Sequence, residues 1–421
     1  MTLRDAGIVT AFLAVCVDFT VSGNLLTDCG SAYISDGGLL IEKIHPGSYL
    51  AILAGTLTAA SNPHGMAGLR HLIRRHCQIL VFLSGLLFCM AYALVFTGTG
   101  NLIPLIDTYL PAGMLALALS QADARALRHL RFLLQTLLIM NACLTLAEAA
   151  TQSNLIPIPP GLSSEEAAFR PTALYDHALT GASATMLGWL LRPDASRAPA
   201  ASLAYQAVMI AALLCFGERT PIFVSLCAML WLSASAFRPR FLGRTMRPRD
   251  YASVLLGPAF IAAIVIAVLA SGIGTRLTDH LYWDSSAGVR LRVFNLLGMI
   301  STPELMFGTR RDDLLALLEP MRLAYHVGVI ENFWLGMLLT LGLIGFPVFA
   351  VSFAALLRWL WRQGDTQGRA MVLTLVLVAT ASNSLGRKSM LLVALTACVL
   401  ATQPRGLFLR RRRVLAQHVP A

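Results

Sequence analysis

The chain has few charged residues for its length. Only 13% of its 421 residues are Asp, Glu, Lys or Arg, whereas soluble domains carry about 25%. Hydrophobic residues make up 56%, and the mean hydropathy is +0.67. This composition excludes an ordinary soluble domain. It predicts a polytopic membrane protein whose core is the helix bundle itself.

The familiar motifs of soluble enzymes and of metal sites are also missing. The sequence contains no GxGxxG, Walker A, HExxH, GxSxG or DxD motif, and its eight cysteines form no CxxC pair. We therefore expect neither a metal ion nor a cofactor, and cysteines that act as small packing residues. The basic charge is not interleaved with aromatic residues in a nucleic-acid-binding pattern, so no nucleic-acid partner is expected.

Apolar stretches of about 20 residues, the length that crosses a bilayer, recur along the chain. They predict an all-α, polytopic integral membrane protein with about twelve transmembrane helices in a single domain, 1–421. The first stretch is expected to be an uncleaved helix, because no small-residue cleavage site follows it. The predicted spans are 6–23, 38–60, 77–97, 101–121, 129–149, 173–191, 201–217, 220–237, 251–271, 331–357, 370–383 and 388–402.

Arginine-rich loops set the predicted orientation. Every even-numbered span is followed by such a loop, for example 238–249, and basic loops of this kind face the cytoplasm. Both termini are therefore predicted to be cytoplasmic. Residues 272–330 then form one large loop on the outer face. Its stretch LLALLEPMRLAYHVG has helical apolar spacing and predicts an amphipathic helix.

A second set of cations breaks the orientation pattern, because it falls on the predicted outer face. Cations are rarely placed there without a use, and guanidinium groups bind phosphate oxygens in a forked geometry, so the set predicts a polyanion site. The alternatives are arginines that snorkel to headgroups, a local Glu218–Arg219 pair, and a misassigned re-entrant segment near the last span. The set comprises Arg170, Arg219, Arg290, Arg292, Arg387 and Lys388.

Three further polar residues are candidates for proton transfer or for a pathway. Glu331 precedes the tenth span, where a helix dipole alone would stabilise its charge. His177 starts the sixth span beside Asp176 and has a simpler structural interpretation. Asp107 lies inside the fourth span, where an acid is costly and usually has a partner.

Several segments resemble the O-antigen ligase and polymerase family. FGERTPIF is similar to the family's Arg-bearing turn, SSAGVRLRVFNLLGMISTPELMFG to the start of its Arg-bearing loop, and ENFWLGMLLTLGLIGF to the span after that loop. LIDTYLPAGMLALAL and FRPTALYDHALTGA resemble the exopolysaccharide polymerase branch. The resemblance covers roughly residues 100–400.

The resemblance implies a GT-C-like membrane glycosyltransferase in the bacterial inner (cytoplasmic) membrane. Its function would be to polymerise repeat units of exopolysaccharide or O-antigen. It would transfer glycan from undecaprenyl diphosphate to a sugar hydroxyl at the periplasmic face, without a metal. The implied partners are an undecaprenyl-diphosphate-linked oligosaccharide, membrane lipid, a chain-length regulator and a flippase.

The resemblance also implies roles for individual residues. Glu331 stands where the family has a histidine associated with the acceptor in ligases, which argues against ligase activity and leaves Glu331 as a candidate base. Four residues are assigned to binding the diphosphate: Arg219, Arg290, Arg292 and Arg387. The residues assigned to catalysis are Glu331, His177 and Arg290. Substrate binding is assigned to Arg170, His326 and Lys388.

Other functions stay open at this point. A ligase would move finished glycan to another acceptor. A transporter or flippase for an anionic solute would place polar groups near the middle of the bilayer, as Asp107 suggests. The clustering of candidate residues at one face, beside a large loop, favours an enzyme over a transporter or an inactive scaffold.

Overall fold

The computed structural model describes residues 2–34, 38–61, 66–157, 169–193, 198–241, 292–325 and 330–403, together with residues 266, 270 and 288. Within these ranges the chain is helical and contains no β-strand. The predicted all-α class is therefore confirmed for the described residues.

The helices follow one another with short connections. A π-helical turn, Leu105–Tyr109, joins α5 to α6, and 3₁₀ turns occupy Leu40–Lys43 and Val293–Gly298. The α-helices are α1 Leu3–Thr20, α2 Gly23–Asp28, α3 Pro46–Ala60, α4 Met66–Phe96, α5 Thr99–Pro104, α6 Leu110–Leu119, α7 Ala124–Thr151, α8 Ala178–Leu190, α9 Pro199–Phe216, α10 Arg219–Phe241, α11 Thr302–Phe307, α12 Arg311–Tyr325, α13 Phe333–Gln363, α14 Thr366–Ala381 and α15 Leu391–Ala401.

Within the described residues, five helical stretches are long and apolar enough to cross a membrane, by length and composition. Shorter apolar helices accompany them, so the chain is a helical membrane protein, while the count of twelve spans stays a prediction. The predicted ninth span lies outside the described residues except for 266 and 270. The five stretches are His76–Phe96, Thr99–Leu119, Ala124–Thr151, Pro199–Phe216 and Phe333–Gln363.

Two short helices, α8 and α15, lie at the centre of the bundle. All eleven residues of α15 are buried, and it packs against α6, α7, α8 and α14. At 1.5 Å per residue α15 is about 16 Å long, about half the hydrocarbon thickness of a bilayer. The predicted spans 173–191 and 388–402 are longer than these helices, because their first residues are irregular chain that bonds to other segments.

The start of α3 also differs from prediction. The span predicted over 38–60 becomes helical only at Pro46, after the 3₁₀ turn Leu40–Lys43. Proline suits the first turn of a helix because its missing N–H has no partner there in any case. The preceding backbone N–H, that of His45, donates to the carboxylate of Asp107 on another helix.

The π-helical turn has a local cause. In an α-helix, the N–H of residue 111 would donate to the carbonyl of Asp107, but Pro111 has no N–H. The carbonyl of Asp107 instead accepts from the Ser48 hydroxyl at 3.2 Å, and the N–H of Leu110 reaches back to Leu105. Such π-turns occur frequently at functional sites.

The π-turn also holds the segment before α15. The hydroxyl of Thr108 donates to the carbonyl of Arg387 at 3.0 Å and accepts from the N–H of Ser389 at 3.0 Å. The hydroxyl of Tyr109 donates to the carbonyl of Leu385 at 2.7 Å. The irregular backbone of 382–390 therefore has its hydrogen-bond partners on α5–α6.

Helices of the predicted large loop pack onto a kink in α13. Gly342 has φ +64°, a left-handed conformation that favours glycine, and the kink leaves room for residues 306–308. The N–H of Thr309 donates to the carbonyl of Leu339 at 2.7 Å, and Asn101 donates to the carbonyl of Thr309 at 2.8 Å. The amphipathic helix predicted in this loop is confirmed as α12.

Candidate functional site

A polar cavity lies where the C-terminus of α1 meets the N-termini of α3, α8 and α15. Its empty space, counted together with its open mouth, is about 470 Å³. Helix N-termini carry partial positive charge, which favours acidic side chains at this end of the bundle. The ionisable residues that line the cavity are Asp18, Tyr33, His45, Asp107, Tyr175, Asp176 and Lys388.

Asp107 is the best-bonded carboxylate of this polar cavity. One oxygen, Oδ2, accepts from the Tyr33 hydroxyl at 2.6 Å. The other, Oδ1, accepts from the His45 backbone N–H at 2.7 Å and from the Ser48 hydroxyl at 2.8 Å. Only 4% of Asp107 is exposed. These three donors offset the cost of burying a carboxylate, and they tie α3 and the 28–45 segment to the π-turn.

Asp18 and His45 form a buried pair. His45 Nδ1 lies 2.9 Å from Asp18 Oδ1, within hydrogen-bond distance, and 3.1 Å from the backbone N–H of Gly47, which donates to it as a helix cap. His45 Nε2 lies 2.8 Å from the carbonyl oxygen of Val21, which can only accept, so Nε2 carries a proton. Burial lowers the pKa of His45, but the hydrogen bond and charge of Asp18 and the charge of Asp107 outweigh it, and the pKa is raised overall.

Lys388 faces the acidic side of the cavity. Its ammonium donates to the carbonyl of Tyr33 and lies 4.0 Å from the centre of the Tyr33 ring, a cation–π distance. Burial lowers the pKa of Lys388 to about 8. The charge of Asp107 acts in the opposite direction, while the positive charges of Lys43 and Arg311 lower the pKa further.

Lys388 belongs to a set of four cations from separate segments, which we name the cationic group: Lys43, Arg311, Arg387 and Lys388. Lys43 and Lys388 are the only lysines in the chain. Lys43 is 6% exposed and donates to the carbonyl of Ala32 at 2.6 Å. Arg387 keeps exposed surface, yet its guanidinium is crowded by protein, and this burial together with the charge of Arg311 lowers its pKa.

The large loop supplies Arg311 to this group. Arg311 is the first residue of α12, and its side chain packs against Gly100 at the start of α5. The docking of Thr309 on the α13 kink therefore fixes where Arg311 lies. A side chain at position 100 would be only 3.2 Å from Arg311, which explains the glycine there.

Asp176 and His177 have local bonding roles. One oxygen of Asp176 accepts from the backbone N–H groups of Gly23 and Asn24, at the start of α2. His177 is the N-cap of α8, and its Nδ1 accepts from the N–H of Leu179 at 3.1 Å. Asp176 also lines the cavity, whereas His177 is exposed outside its described lining.

Glu218 forms an ion pair with Arg170, a residue 48 positions earlier in the chain. The two charged groups are 3.1 Å apart, with 19% and 22% of their side chains exposed. Arg219 is exposed at the first residue of α10, after the turn at Gly217. Arg219 is therefore present at the surface, and the charge of Arg170 is neutralised by Glu218.

The remaining predicted site residues are less well placed. Arg292 is exposed just before the 3₁₀ turn Val293–Gly298, with φ −65° and ψ −26°. Glu331 is half-buried just before the N-cap Asn332, which donates to the carbonyl of Thr380 at 3.1 Å. Arg290 and His326 lie outside the described residues.

From the sequence-based set, the structure brings Arg387, Lys388, Asp107 and Asp176 together. Sequence reasoning missed Asp18 and Tyr33, together with His45, Lys43 and Arg311. The scarcity of lysine was an available signal, because both lysines lie in the site. Asp18 gave a weaker signal, as an acid near the end of an otherwise apolar stretch.

Comparison with known proteins gave no match. No protein-family model, curated protein or solved structure matches the chain. The described residues contain no group of three or more His, Cys, Asp or Glu side chains placed to hold a metal ion. The site is therefore argued from its own chemistry: a cationic group suited to an anion, beside buried carboxylates suited to accepting a proton.

Proposed function

We propose that the chain is a membrane glycosyltransferase that polymerises repeat units of an exopolysaccharide or O-antigen. The donor would be a glycan on undecaprenyl diphosphate, and the acceptor a sugar hydroxyl at the outer face of the bacterial inner membrane. The observation that carries the proposal is the cationic group, whose members come from three distant segments and lie beside the carboxylates of the polar cavity.

A diphosphate would suit this group. Like charges brought close together repel each other, and an anion between them would relieve that cost. Lysine binds phosphate as a point charge, whereas arginine offers two parallel donors. The same cations would stabilise the negative charge that develops on the leaving diphosphate.

The proposed reaction needs no metal. The bond from the sugar carbon C1 to the diphosphate oxygen breaks, and its electron pair goes to the diphosphate. The acceptor oxygen bonds to C1, and its proton passes to a base. Glu331 and His177 remain sequence-based candidates for that base. Further contacts proposed from the resemblance are Arg219, Arg290 and Arg292 to the diphosphate, and Arg170 and His326 to the glycan.

The test is the size of lipid-linked glycans in cells. Cells that lack the gene are complemented with the wild type, with Lys388→Ala, or with Arg358→Ala. The last variant is the control, because it removes an exposed cation of α13 that does not line the polar cavity. We expect single repeat units to accumulate on the lipid carrier with Lys388→Ala but not with Arg358→Ala. Arg290→Ala tests the outer-loop arginine in the same assay.

Accumulation of long lipid-linked polymer would indicate a ligase. Unchanged lipid-linked glycans in the deletion strain would overturn both enzymatic functions.

A transporter for an anionic solute is the second candidate. It is favoured by the irregular segments that precede the short central helices α8 and α15, whose N-termini lie beside the polar cavity. Interrupted helices with charged groups at their ends are typical of transporter binding sites. Uptake or efflux of an anionic solute that depends on Lys388, with unchanged lipid-linked glycans, would support this function.

A further inference from the structure

Asp18 differs from the other carboxylates of the polar cavity in its bonding. It is 5% exposed and lines the cavity, and His45 occupies its Oδ1. Within the described part of the chain, its second oxygen, Oδ2, is buried and has no hydrogen-bond partner. Buried acceptors are usually satisfied, so an unsatisfied carboxylate oxygen in a cavity indicates a missing donor.

The neighbouring acids and His177 are less suited than Asp18 to accept a proton in the cavity. Both oxygens of Asp107 are already occupied by protein donors. Asp176 bonds two backbone N–H groups, and much of the residue is exposed. The Nδ1 of His177 is engaged as a helix cap. Asp18 alone among these groups combines a buried position with an unpaired carboxylate oxygen, which favours it as a base.

His45 is placed to orient Asp18 and not to react itself. Both of its ring nitrogens are engaged, Nδ1 with Asp18 and Nε2 with the carbonyl of Val21. Its backbone N–H is bonded to Asp107, which anchors the residue from a third direction. His45 therefore acts as a positioning residue that fixes the orientation of the Asp18 carboxylate, a residue of the cavity lining.

We propose that Oδ2 of Asp18 accepts the proton of the acceptor hydroxyl during glycosyl transfer. The assignment rests on the proposed function and names the base of that reaction. The hydroxyl O–H bond breaks, its proton binds Oδ2, and the hydroxyl oxygen forms the new bond to C1 as the diphosphate leaves with the electron pair. The proton then returns to water through the mouth of the cavity.

Several charged groups from different elements face the polar cavity with Asp18. The histidine and the lysine favour its ionised form, whereas the neighbouring acids oppose ionisation. These groups are His45 before α3, Asp107 on the π-turn, Asp176 before α8, Lys388 before α15, and the phenols of Tyr33 and Tyr175.

The first experiment detects the protonated carboxyl without relying on activity. Membranes that contain the full-length protein are treated with dicyclohexylcarbodiimide, an apolar reagent that modifies the protonated form of a carboxyl group, across a range of pH. Mass spectrometry of peptides then locates the adduct. We expect modification at Asp18 that increases as pH falls, with Asp107 protected by its three donors. Modification of Asp107 in preference to Asp18 would overturn the assignment.

The second experiment measures transfer. Asp18→Asn retains an oxygen that can accept from His45 but removes the base, and we expect polymer to fall about 100-fold or more. Asp28→Asn, a matched change of an exposed acid at the end of α2, should leave polymer unchanged. Asp18→Glu retains a carboxylate, and we expect it to make more polymer than Asp18→Asn. A purely structural role of Asp18 would not require this difference.

The pH dependence separates chemistry from folding. In His45→Gln the neighbouring positive charge is lost, so we expect the acidic limb of the pH–rate profile to move to higher pH. Full polymer synthesis in Asp18→Asn, with synthesis lost in Lys388→Ala, would overturn the base while leaving the transferase intact. Unchanged lipid-linked glycans in the deletion strain would overturn the transferase and the base together.

Discussion

The two charged sides of the cavity are built differently. The acids Asp18 and Asp107 are carried by helical segments. Protein donors bond both oxygens of Asp107, and His45 holds one oxygen of Asp18. The cations Arg387 and Lys388 lie in the irregular segment before α15, and Arg311 begins a helix of the large loop. Helices place the acids rigidly, whereas connecting segments bring in the cations. This is the arrangement expected where a fixed base meets a variable anionic ligand.

We expect the largest effect from Asp107→Asn, because it disturbs the rigid acidic side. The amide removes the charge that three donors share, and it adds N–H groups that face those donors. The loss of stability should be about 3 kcal/mol, with loss of polymer. Thermal unfolding in nanodiscs would measure the stability, with Asp28→Asn as the control. Unchanged stability would mean that the acidic side is not the rigid one.

Lys388→Ala should remove function with a smaller effect on stability. Its ammonium lies among other cations, so its loss relieves repulsion while it weakens the site for a diphosphate. We expect polymer to fall about 100-fold. Lipid-linked glycans and unfolding would be measured on the same preparations. A loss of stability as large as that of Asp107→Asn would contradict the distinction between the two sides.

The pH dependence should differ between the sides as well. Because the pKa of Lys388 is lowered to about 8, its ammonium is present below that pH and lost above it. Anion binding and polymer synthesis should therefore decline as pH rises through about 8. Its lowered pKa also means that burying the charge costs stability below pH 8, and this cost disappears as pH rises toward the ordinary lysine value.

The chain's two lysines make that titration measurable. Reductive methylation with carbon-13 formaldehyde would label Lys43, Lys388 and the terminal amine, and NMR would follow each signal with pH. The Lys388→Arg variant identifies the signal of Lys388 by its absence. A signal that titrates near the ordinary lysine value would contradict burial of Lys388 beside the other cations.

The smallest effect is expected from Arg170→Ala. Glu218 already neutralises this cation in a partly exposed pair, so its removal should cost about 1 kcal/mol and change polymer only a few-fold. Glu218→Gln, which removes the other partner, is the matched variant. A loss of polymer comparable to that of Lys388→Ala, with normal stability, would instead support the sequence-based prediction that Arg170 binds the substrate.

Much of the architecture followed from local sequence patterns. Apolar runs predicted five long helices within a few residues, and helical spacing predicted α12, because both depend on residues close together in the chain. The starts of α3, α8 and α15 were misplaced. Their first residues are apolar enough to continue a helix, but hydrogen bonds to distant groups such as Asp107 and Thr108 hold them in other conformations.

The site was predicted only in part. Asp107 and Lys388 were noticed because each is an unusual charge for its position in the chain. Asp18, Tyr33 and His45 have ordinary local contexts, and their importance comes from contacts with residues far along the chain, as between Tyr33 and Lys388. The cationic group likewise depends on Arg311, which the kink at Gly342 allows to approach α5.

The sequence by itself determined the helical membrane class, because length and apolar content decide which segments can cross a bilayer. It also indicated that unusual charges lie at the ends of predicted spans. Only the tertiary structure decided which of those charges meet. The carbonyl of Asp107 accepts from Ser48, the π-turn holds the segment of Lys388, and His45 occupies one oxygen of Asp18. Each of these contacts joins residues that no local pattern relates, since hydrogen bonds depend on distance in space and not along the chain.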